Sequence, residues 1–125
     1  MFGLDVTHQM IITPKRLSLI KKSSNSIGPT TADLLTFFNS YDTKKYGWDG
    51  APLHDPCTIA WLIKPEIFQI KKMSVEIETN NGPAFGRTIA DWFNVTNKNK
   101  NVNVAISGKS DQFFDLIAER LSRFS

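Results

Sequence analysis

The sequence is poor in the residues that build disulfides and metal clusters, with one cysteine, Cys57, and two histidines among 125 residues. A single cysteine excludes an internal disulfide and a cysteine-rich metal site, so a reducing cytoplasm is the expected location. No apolar run approaches the roughly 18 residues that a membrane-spanning helix needs. The first residues also lack the charged-then-apolar order of a secretion signal. We therefore expect no membrane partner.

A concentrated patch of one charge is missing as well. The net charge is only +3, and the lysines lie in scattered pairs such as Lys21-Lys22 and Lys71-Lys72 instead of one stripe with interleaved aromatic residues. This distribution argues against a nucleic-acid partner. The chain is, in contrast, rich in apolar residues: 41% of its residues are hydrophobic and 11% are aromatic. That is enough to build the core of one domain over residues 1–125.

Local signals predict four helices. Thr13-Pro14 is typical of an N-cap followed by proline at the first helical position, and it predicts a helix with Leu17 and Ile20 facing inward. A second helix is predicted to start after Thr30 or Thr31 and to end near Tyr46-Gly47. It is so apolar that we expect it to pack heavily on another element. A third runs from residue 57 to residue 63, before Pro65, and a fourth is capped by Ser110.

Alternation of apolar and polar residues predicts strands between the third and fourth helices. Met73, Val75, Ile77 and Thr79 alternate with polar residues, residues 86–92 are expected to return as a second strand, and Val102–Ile106 form a third. Residues 1–4 are expected to be the tail of a buried strand, followed by a turn over residues 5–9. The pattern indicates an α/β protein with a small antiparallel strand unit.

The most informative stretch is Gly50–Cys57, which reads Gly-Ala-Pro-Leu-His-Asp-Pro-Cys. Pro56 suits the first helical position, which makes Asp55 the N-cap residue and leaves His54 just outside the helix. Both polar side chains are then expected at whatever cleft the helix start faces. The plain alternatives are that Asp55 is only a cap and that His54 is a packing or solvated residue. Cys57 is interpreted as a small core residue instead of a thiol nucleophile.

The same stretch resembles the Gly-x-Pro-Leu-His-Asp-Pro motif near the carboxyl end of the nucleoside hydrolases, the inosine–uridine preferring family. Residues 3–9, Gly-Leu-Asp-Val-Thr-His-Gln, resemble that family's Gly-Leu-(Asp/Asn)-Val-Thr-His segment, and residues 86–92 resemble its Gly-x-Thr-x-x-Asp strand. The three motifs follow the family's order and span essentially the whole chain. The resemblance implies the carboxyl-terminal part of an open mixed sheet with flanking helices and a small antiparallel strand unit.

The resemblance also implies roles for four residues. Asp55 matches a ligand of a Ca²⁺ ion that binds the ribose hydroxyls and the attacking water, and His54 matches the residue associated with protonating the departing base. An imidazole suits that task because it titrates near neutrality. Tyr46 falls where the family places a residue over the nucleobase, although it could equally be a rim aromatic without a role. Asp42, one helical turn earlier, is a second substrate-binding candidate, whereas His8 is interpreted as structural.

Two family motifs are absent from the sequence: the Asp-x-Asp-x-Gly-x-Asp-Asp motif with the other metal carboxylates, and the Glu-x-Asn segment that holds the ribose. Ca²⁺ takes about six to eight oxygen ligands, so Asp55 alone is not expected to bind it tightly. We therefore expect the chain to be the carboxyl-terminal segment of an enzyme that cleaves ribonucleosides, inactive until a complementing amino-terminal half is supplied. The alternative is an inactive remnant that serves as an oligomerisation or interaction module. In both cases exposed apolar surface is expected to favour homo-oligomers, and the choice between purine and pyrimidine nucleosides stays open.

Overall fold

A computed structural model describes residues 1–22 and 26–124 of the chain, which form an α/β fold. The helices are α1 (Leu4–Thr7), α2 (Pro14–Lys21), α3 (Ile27–Tyr46), α4 (Pro56–Ile63) and α5 (Ser110–Leu121); the strands are β1 (Phe68–Met73), β2 (Val75–Ile77), β3 (Thr88–Ala90) and β4 (Val102–Gly108). A single 3₁₀ turn, Pro65–Ile67, connects α4 to β1. The sequence also predicts a loop over Ser23-Ser24-Asn25-Ser26 after α2, and all of it except Ser26 lies outside the described residues. Within the described ranges no helix is long and apolar enough to cross a membrane.

The strands form two antiparallel pairs, which confirms the expected antiparallel unit. β1 pairs with β4 from Phe68 opposite Gly108 to Met73 opposite Val102, with an irregularity after Gln69. β2 pairs with β3, which is the predicted returning strand in a shorter form. The single strand predicted from Met73 to Thr79 is wrong, because the chain changes sheets at Ser74. Residues before Ser74 pair with β4 and residues after it pair with β3. The alternation of apolar and polar residues therefore continues across Ser74, although the strand does not.

The amino-terminal segment differs from the predicted strand and turn. Only Met1 keeps a strand-like contact, since the Ala105 N–H donates to its carbonyl oxygen at 2.9 Å. From Leu4 the chain forms the short helix α1, in which the Gly3 carbonyl accepts from the Thr7 N–H at 3.1 Å. This helix buries Val6 and Thr7 against the rest of the fold.

The core lies where α1, α2, α4 and α5 meet the β1–β4 pair. Phe113 and Phe114 are both fully buried at the start of α5 and meet edge to face, with ring centroids 5.1 Å apart. Aliphatic side chains from the amino-terminal segment and α2 complete this core: Val6, Met10, Ile12 and Ile20. A smaller cluster of Met73, Val75 and Val104 lies where the two sheets meet.

The long helix α3 begins and packs differently from the prediction. It starts at Ile27, with Ser26 before it, so Thr30 and Thr31 lie inside the helix and do not cap it. It ends as predicted at Tyr46, where Gly47 adopts the left-handed conformation with φ of 67°. The heavy packing expected for its apolar residues is seen on one side only, because Phe37 is 82% exposed and Leu34 and Tyr41 are also exposed.

Candidate functional site

The loop that carries the Gly50–Cys57 motif is attached to the connection between α1 and α2. The Ile12 N–H donates to the Ala51 carbonyl and the Leu53 N–H donates to the Met10 carbonyl, each at 2.9 Å. Asn39 of α3 links both segments, because its side-chain amide donates to the Ile12 carbonyl at 3.3 Å and its side-chain oxygen accepts from the Ala51 N–H. These bonds place the start of α4 beside α1.

His54 is anchored by this arrangement through one ring nitrogen. Its Nδ1 lies 2.8 Å from Oγ1 of Thr7, a residue of α1 that is 47 positions away in sequence. The histidine itself is half-buried. Its ring is 5.6 Å from that of His8, measured between centroids. His54 therefore stands at the junction of α1 and α4, where its Nδ1 is engaged by a buried hydroxyl.

Asp55 occupies the position before α4, as predicted, but its side chain does not cap the helix. Its backbone is already helical, with φ of −61° and ψ of −41°, whereas a capping side chain needs an extended backbone to reach back to the first N–H groups. The Asp55 carbonyl accepts from the hydroxyl of Thr58 at 2.9 Å. The carboxylate is exposed and makes no capping hydrogen bond. The interpretation of Asp55 as only a helix cap is therefore wrong.

Four rings follow one another at this end of the molecule and form what we call the aromatic row: Tyr46, Trp48, His8 and His54. Tyr46 stacks on Trp48 with centroids 4.9 Å apart and planes 27° apart, and Trp48 meets His8 at 5.4 Å in an edge-on arrangement. A hollow of about 650 Å³ opens beside the row, with His8 and Trp48 in its lining. Flat rings beside a hollow of this size are suited to stacking on a planar ligand.

The two predicted substrate-binding residues are placed differently. Tyr46 is half-exposed within the aromatic row, and the Lys45 ammonium lies 5.0 Å from its ring centroid. Hydrogen bonding to Tyr46, and then to Tyr41, raises the pKa of Lys45. Asp42 instead lines a separate hollow of about 410 Å³ along α3, together with Phe38 and Tyr41. The structure brings Tyr46 into one row with His54, in which His8 and Trp48 line the hollow of about 650 Å³, whereas Asp42 lines the separate one.

The side chains near Asp55 do not form a metal site by themselves. Across residues 1–22 and 26–124, no group of three or more histidine, cysteine, aspartate or glutamate side chains is arranged to hold a metal ion. One exposed carboxylate falls far short of the roughly six to eight oxygens that Ca²⁺ takes. Cys57 is no ligand either, because it is buried, its thiol donates to the Leu53 carbonyl, and desolvation raises its pKa to about 12. This placement agrees with its interpretation as a core residue.

Three residues of the site were not assigned to it from the sequence: Thr7, His8 and Trp48. Thr7 and His8 lie in the first family-like segment, and Trp48 is two residues after Tyr46. Their place within or beside the family-like segments was the available signal, but no periodicity in the sequence indicates that α1 packs against residues 47–54. Only the long-range contacts place them there.

Known proteins resemble this chain in both sequence and fold. Residues 1–115 match the family model described as inosine-uridine preferring nucleoside hydrolase. The chain is 40% identical over 126 residues to a pyrimidine-specific ribonucleoside hydrolase, RihA, of Klebsiella pneumoniae, and 38% identical over 123 residues to an uncharacterized protein of Schizosaccharomyces pombe. These alignments include 100% and 98% of this chain but 40% of each relative.

A solved structure shows the same relation in three dimensions. The purine-preferring ribonucleoside hydrolase from Gardnerella vaginalis superimposes with a TM-score of 0.78 and 28% identity, over 98% of this chain and 39% of that one. The chain thus spans about two fifths of the length of the relatives that it matches. The motifs at residues 3–9, 50–56 and 86–92 all lie within the matched region. The chain therefore belongs to the inosine–uridine preferring nucleoside hydrolase family.

Proposed function

We propose that the chain is the carboxyl-terminal part of a ribonucleoside hydrolase, in which His54 protonates the departing base. The observation that carries the proposal is the position of His54, which is anchored through Nδ1 and stands at the end of an aromatic row whose His8 and Trp48 line an open hollow. The row supplies rings on which a planar base can stack. The neighbouring imidazole supplies a proton donor for that base.

The residue types suit the chemistry of N-glycosidic cleavage. The bond between ribose and base breaks with its electron pair on the base nitrogen, so negative charge develops on the base while positive charge develops on the sugar. Nε2 of the protonated, cationic His54 ring gives its proton to the base and leaves a neutral imidazole, while water adds its oxygen to the ribose and releases one proton to the solvent. Because Nδ1 is occupied by Thr7, Nε2 is the nitrogen that remains for the proton transfer.

Asp55 is proposed as one oxygen ligand of a Ca²⁺ ion in the complete enzyme, with the remaining ligands supplied by a complementing amino-terminal half. Its exposed carboxylate, unused by the helix, supports this assignment. Bound Ca²⁺ supplies an oxygen-binding centre for water and hydroxyl groups. Tyr46 is proposed to lie over the base. Asp42, one helical turn before Tyr46, is proposed as a second substrate-binding residue, and it lines the separate hollow along α3.

A chimera tests the proposal. The matching carboxyl-terminal region of the Klebsiella pneumoniae RihA is replaced by this chain, and release of ribose from uridine and inosine is measured with added Ca²⁺. We expect turnover in the chimera and none from the chain alone. His54→Ala should lower kcat by about 10²- to 10⁴-fold, the usual contribution of a general acid, with Ca²⁺ affinity retained.

Asp55→Asn in the same chimera should weaken Ca²⁺ binding, because the ligand loses its charge. Asp33→Asn is the matched control, since it removes the same charge from an exposed position on α3. The proposal is refuted if His54→Ala keeps full turnover, or if it reduces turnover and Ca²⁺ affinity to the same extent. Unchanged calcium dependence in Asp55→Asn would remove the metal role of Asp55.

A non-catalytic interaction module is the second candidate function. The exposed apolar side chains of α3 favour it, because Leu34, Phe37 and Tyr41 form a surface that invites association. A chimera that folds and assembles like the parent enzyme, yet cleaves neither nucleoside, would support this alternative. We expect a cytoplasmic location and homo-oligomerisation whether the chain is part of a hydrolase or an interaction module.

A further inference from the structure

We infer that Asn81 is a site of spontaneous covalent modification, at which the backbone nitrogen of Gly82 displaces the side-chain amide and an aspartate or isoaspartate results. Asn81 is the one asparagine of the sequence that precedes a glycine. It lies in the connection between β2 and β3 and is not among the residues that line the hollow beside the aromatic row. The inference is therefore independent of the proposed hydrolase function.

The reaction needs only the chain and water. The Gly82 nitrogen loses its proton to the solvent and bonds to Cγ of Asn81, while the bond from Cγ to Nδ2 breaks and ammonia leaves with a proton taken from water. The product is a cyclic succinimide. Water then adds to either carbonyl carbon of the ring, and the ring nitrogen regains a hydrogen. Opening at Cγ gives aspartate, whereas opening at the main-chain carbonyl gives isoaspartate, in which the chain continues through the side chain.

The structure leaves the attacking nitrogen accessible. Backbone N–H groups inside folded proteins are nearly always hydrogen-bonded, which restrains them. Among the described residues, neither the Gly82 N–H nor the Asn81 side chain has a hydrogen-bond partner. Residues 79–83 are all exposed, and a Cβ built on Gly82 would meet nothing within 4 Å. The nitrogen therefore has open space around it and no bond to give up before it attacks.

The loop can adopt the reactive geometry while the hairpin stays folded. Two main-chain bonds close its base: the Glu78 N–H donates to the Arg87 carbonyl at 2.9 Å, and the Gly86 N–H donates to the Glu78 carbonyl at 2.8 Å. Asn81 and Gly82 lie in the tip beyond these bonds. The ring forms by rotation within these two residues, and glycine has no side chain that would resist it. We therefore expect the reaction in the folded chain.

A second pair of this kind, Asp49-Gly50, is protected by packing. Aspartate before glycine can form the same ring by losing water. Gly50 is buried, however, and a Cβ there would overlap the carbonyl oxygen of Ile12. The following carbonyl, that of Ala51, accepts from the Ile12 N–H at 2.9 Å. The backbone at Gly50 cannot turn towards Asp49 without breaking this packing, so the fold selects Asn81 for modification.

Peptide mapping of the aged chain tests the inference. The folded chain is kept at mildly alkaline pH and digested at intervals, the peptides are identified by mass spectrometry, and an isoaspartyl methyltransferase detects isoaspartate. We expect Asn81 to be lost faster than any other asparagine. Asn80 is the internal control, because it lies in the same exposed loop but precedes an asparagine. Gly82→Ala, which the open space accommodates, should slow the loss of Asn81 to the rate seen at Asn80.

The same experiment in guanidinium chloride separates the effect of the fold from that of the dipeptide. Isoaspartate should appear at Asp49 in the unfolded chain and not in the folded chain, whereas Asn81 should be modified in both. Equal loss of Asn80 and Asn81 in the folded chain, or an unchanged rate at Asn81 in Gly82→Ala, would overturn the inference. Isomerisation of Asp49 at the same rate with and without denaturant would overturn the protection assigned to the packing of Gly50.

Discussion

Gly50→Ala is the substitution whose cost the structure defines best. A Cβ at residue 50 would overlap the carbonyl oxygen of Ile12 and would lie 2.9 Å from its carbonyl carbon and 3.1 Å from Cγ2 of Ile11. Two of these three atoms belong to the backbone, which cannot turn aside as a flexible side chain can. Either the loop that carries His54 or the connection between α1 and α2 must move.

The cost follows from the contacts that this movement breaks. Overpacking a closely packed position costs about 1–3 kcal/mol. Separating the segments also weakens the bond from Ile12 to Ala51 and the bond from Asn39 to Ile12, each worth about 1 kcal/mol net. Alanine recovers roughly 0.5 kcal/mol by restricting the unfolded chain. We therefore expect Gly50→Ala to lower the free energy of unfolding by about 3 kcal/mol, a large share of the stability of a typical domain.

Two other glycines provide matched controls for the same substitution. A Cβ at Gly82 or at Gly47 meets nothing within 4 Å, but Gly47 has φ of 67° and Gly82 has no such strain. Gly82→Ala should change stability by less than about 0.5 kcal/mol, and Gly47→Ala should cost about 1 kcal/mol because alanine disfavours the left-handed conformation. Urea unfolding followed by tryptophan fluorescence and circular dichroism, at concentrations where light scattering shows no association, measures all three. Equal stability of Gly50→Ala and Gly82→Ala would refute the reasoning.

Three further predictions concern other parts of the molecule. Cys57 should react with a thiol reagent such as DTNB far more slowly in the folded chain than in urea, because burial raises its pKa to about 12; fast labelling of the folded chain would contradict this. The pKa of Asp111 is lowered by its hydrogen bond to Arg16 and by that residue's charge, so its stabilising effect is present above the usual carboxyl pKa and is lost as pH falls through the lowered value. Asp111→Asn should accordingly be less stable than wild type at neutral pH and should converge with it in acid; a constant difference would exclude the ion pair as the cause. Phe37→Lys should reduce self-association in a light-scattering concentration series, whereas Phe85→Lys, at an exposed turn, should not; equal association of both variants would show that α3 does not mediate it.

Local sequence signals predicted the elements whose ends depend on neighbouring residues. The helix α2 begins at Pro14 after the capping residue Thr13, whose side chain accepts from the Arg16 N–H. Pro56 begins α4, and the alternation around Val104 marks β4. In each case the signal and the structure lie within one turn or one strand. Proline, alternation and the cap at Thr13 act over that distance, so they could be recognised without the fold. The other predicted caps were wrong, because Thr30 and Thr31 lie inside α3 and Ser110 is the first residue of α5, after Lys109.

Predictions failed where the outcome depended on a remote partner. The alternating run after Met73 was expected to be one strand, but pairing of β1 with β4 and of β2 with β3 divides it at Ser74. Asp55 was placed correctly before α4, but in a loop that is attached to residues 10–12 its backbone is helical and its side chain makes no capping bond. Neither sheet partner nor loop path is encoded in the adjacent residues.

The features of the candidate site also divide into those that the sequence predicts and those that depend on remote contacts. The sequence by itself determined the residue types and their order: the Leu-His-Asp-Pro stretch, Tyr46 before it, and the three segments that resemble the nucleoside hydrolases. Only the tertiary structure decided that Thr7 meets Nδ1 of His54 across 47 residues, that Trp48 and His8 connect Tyr46 to the histidine, and that Asp42 faces elsewhere. The physical reason is that these contacts arise from the packing of α1 against the loop before α4. That approach depends on main-chain hydrogen bonds and on the missing side chain at Gly50, and it leaves no periodic pattern in the sequence.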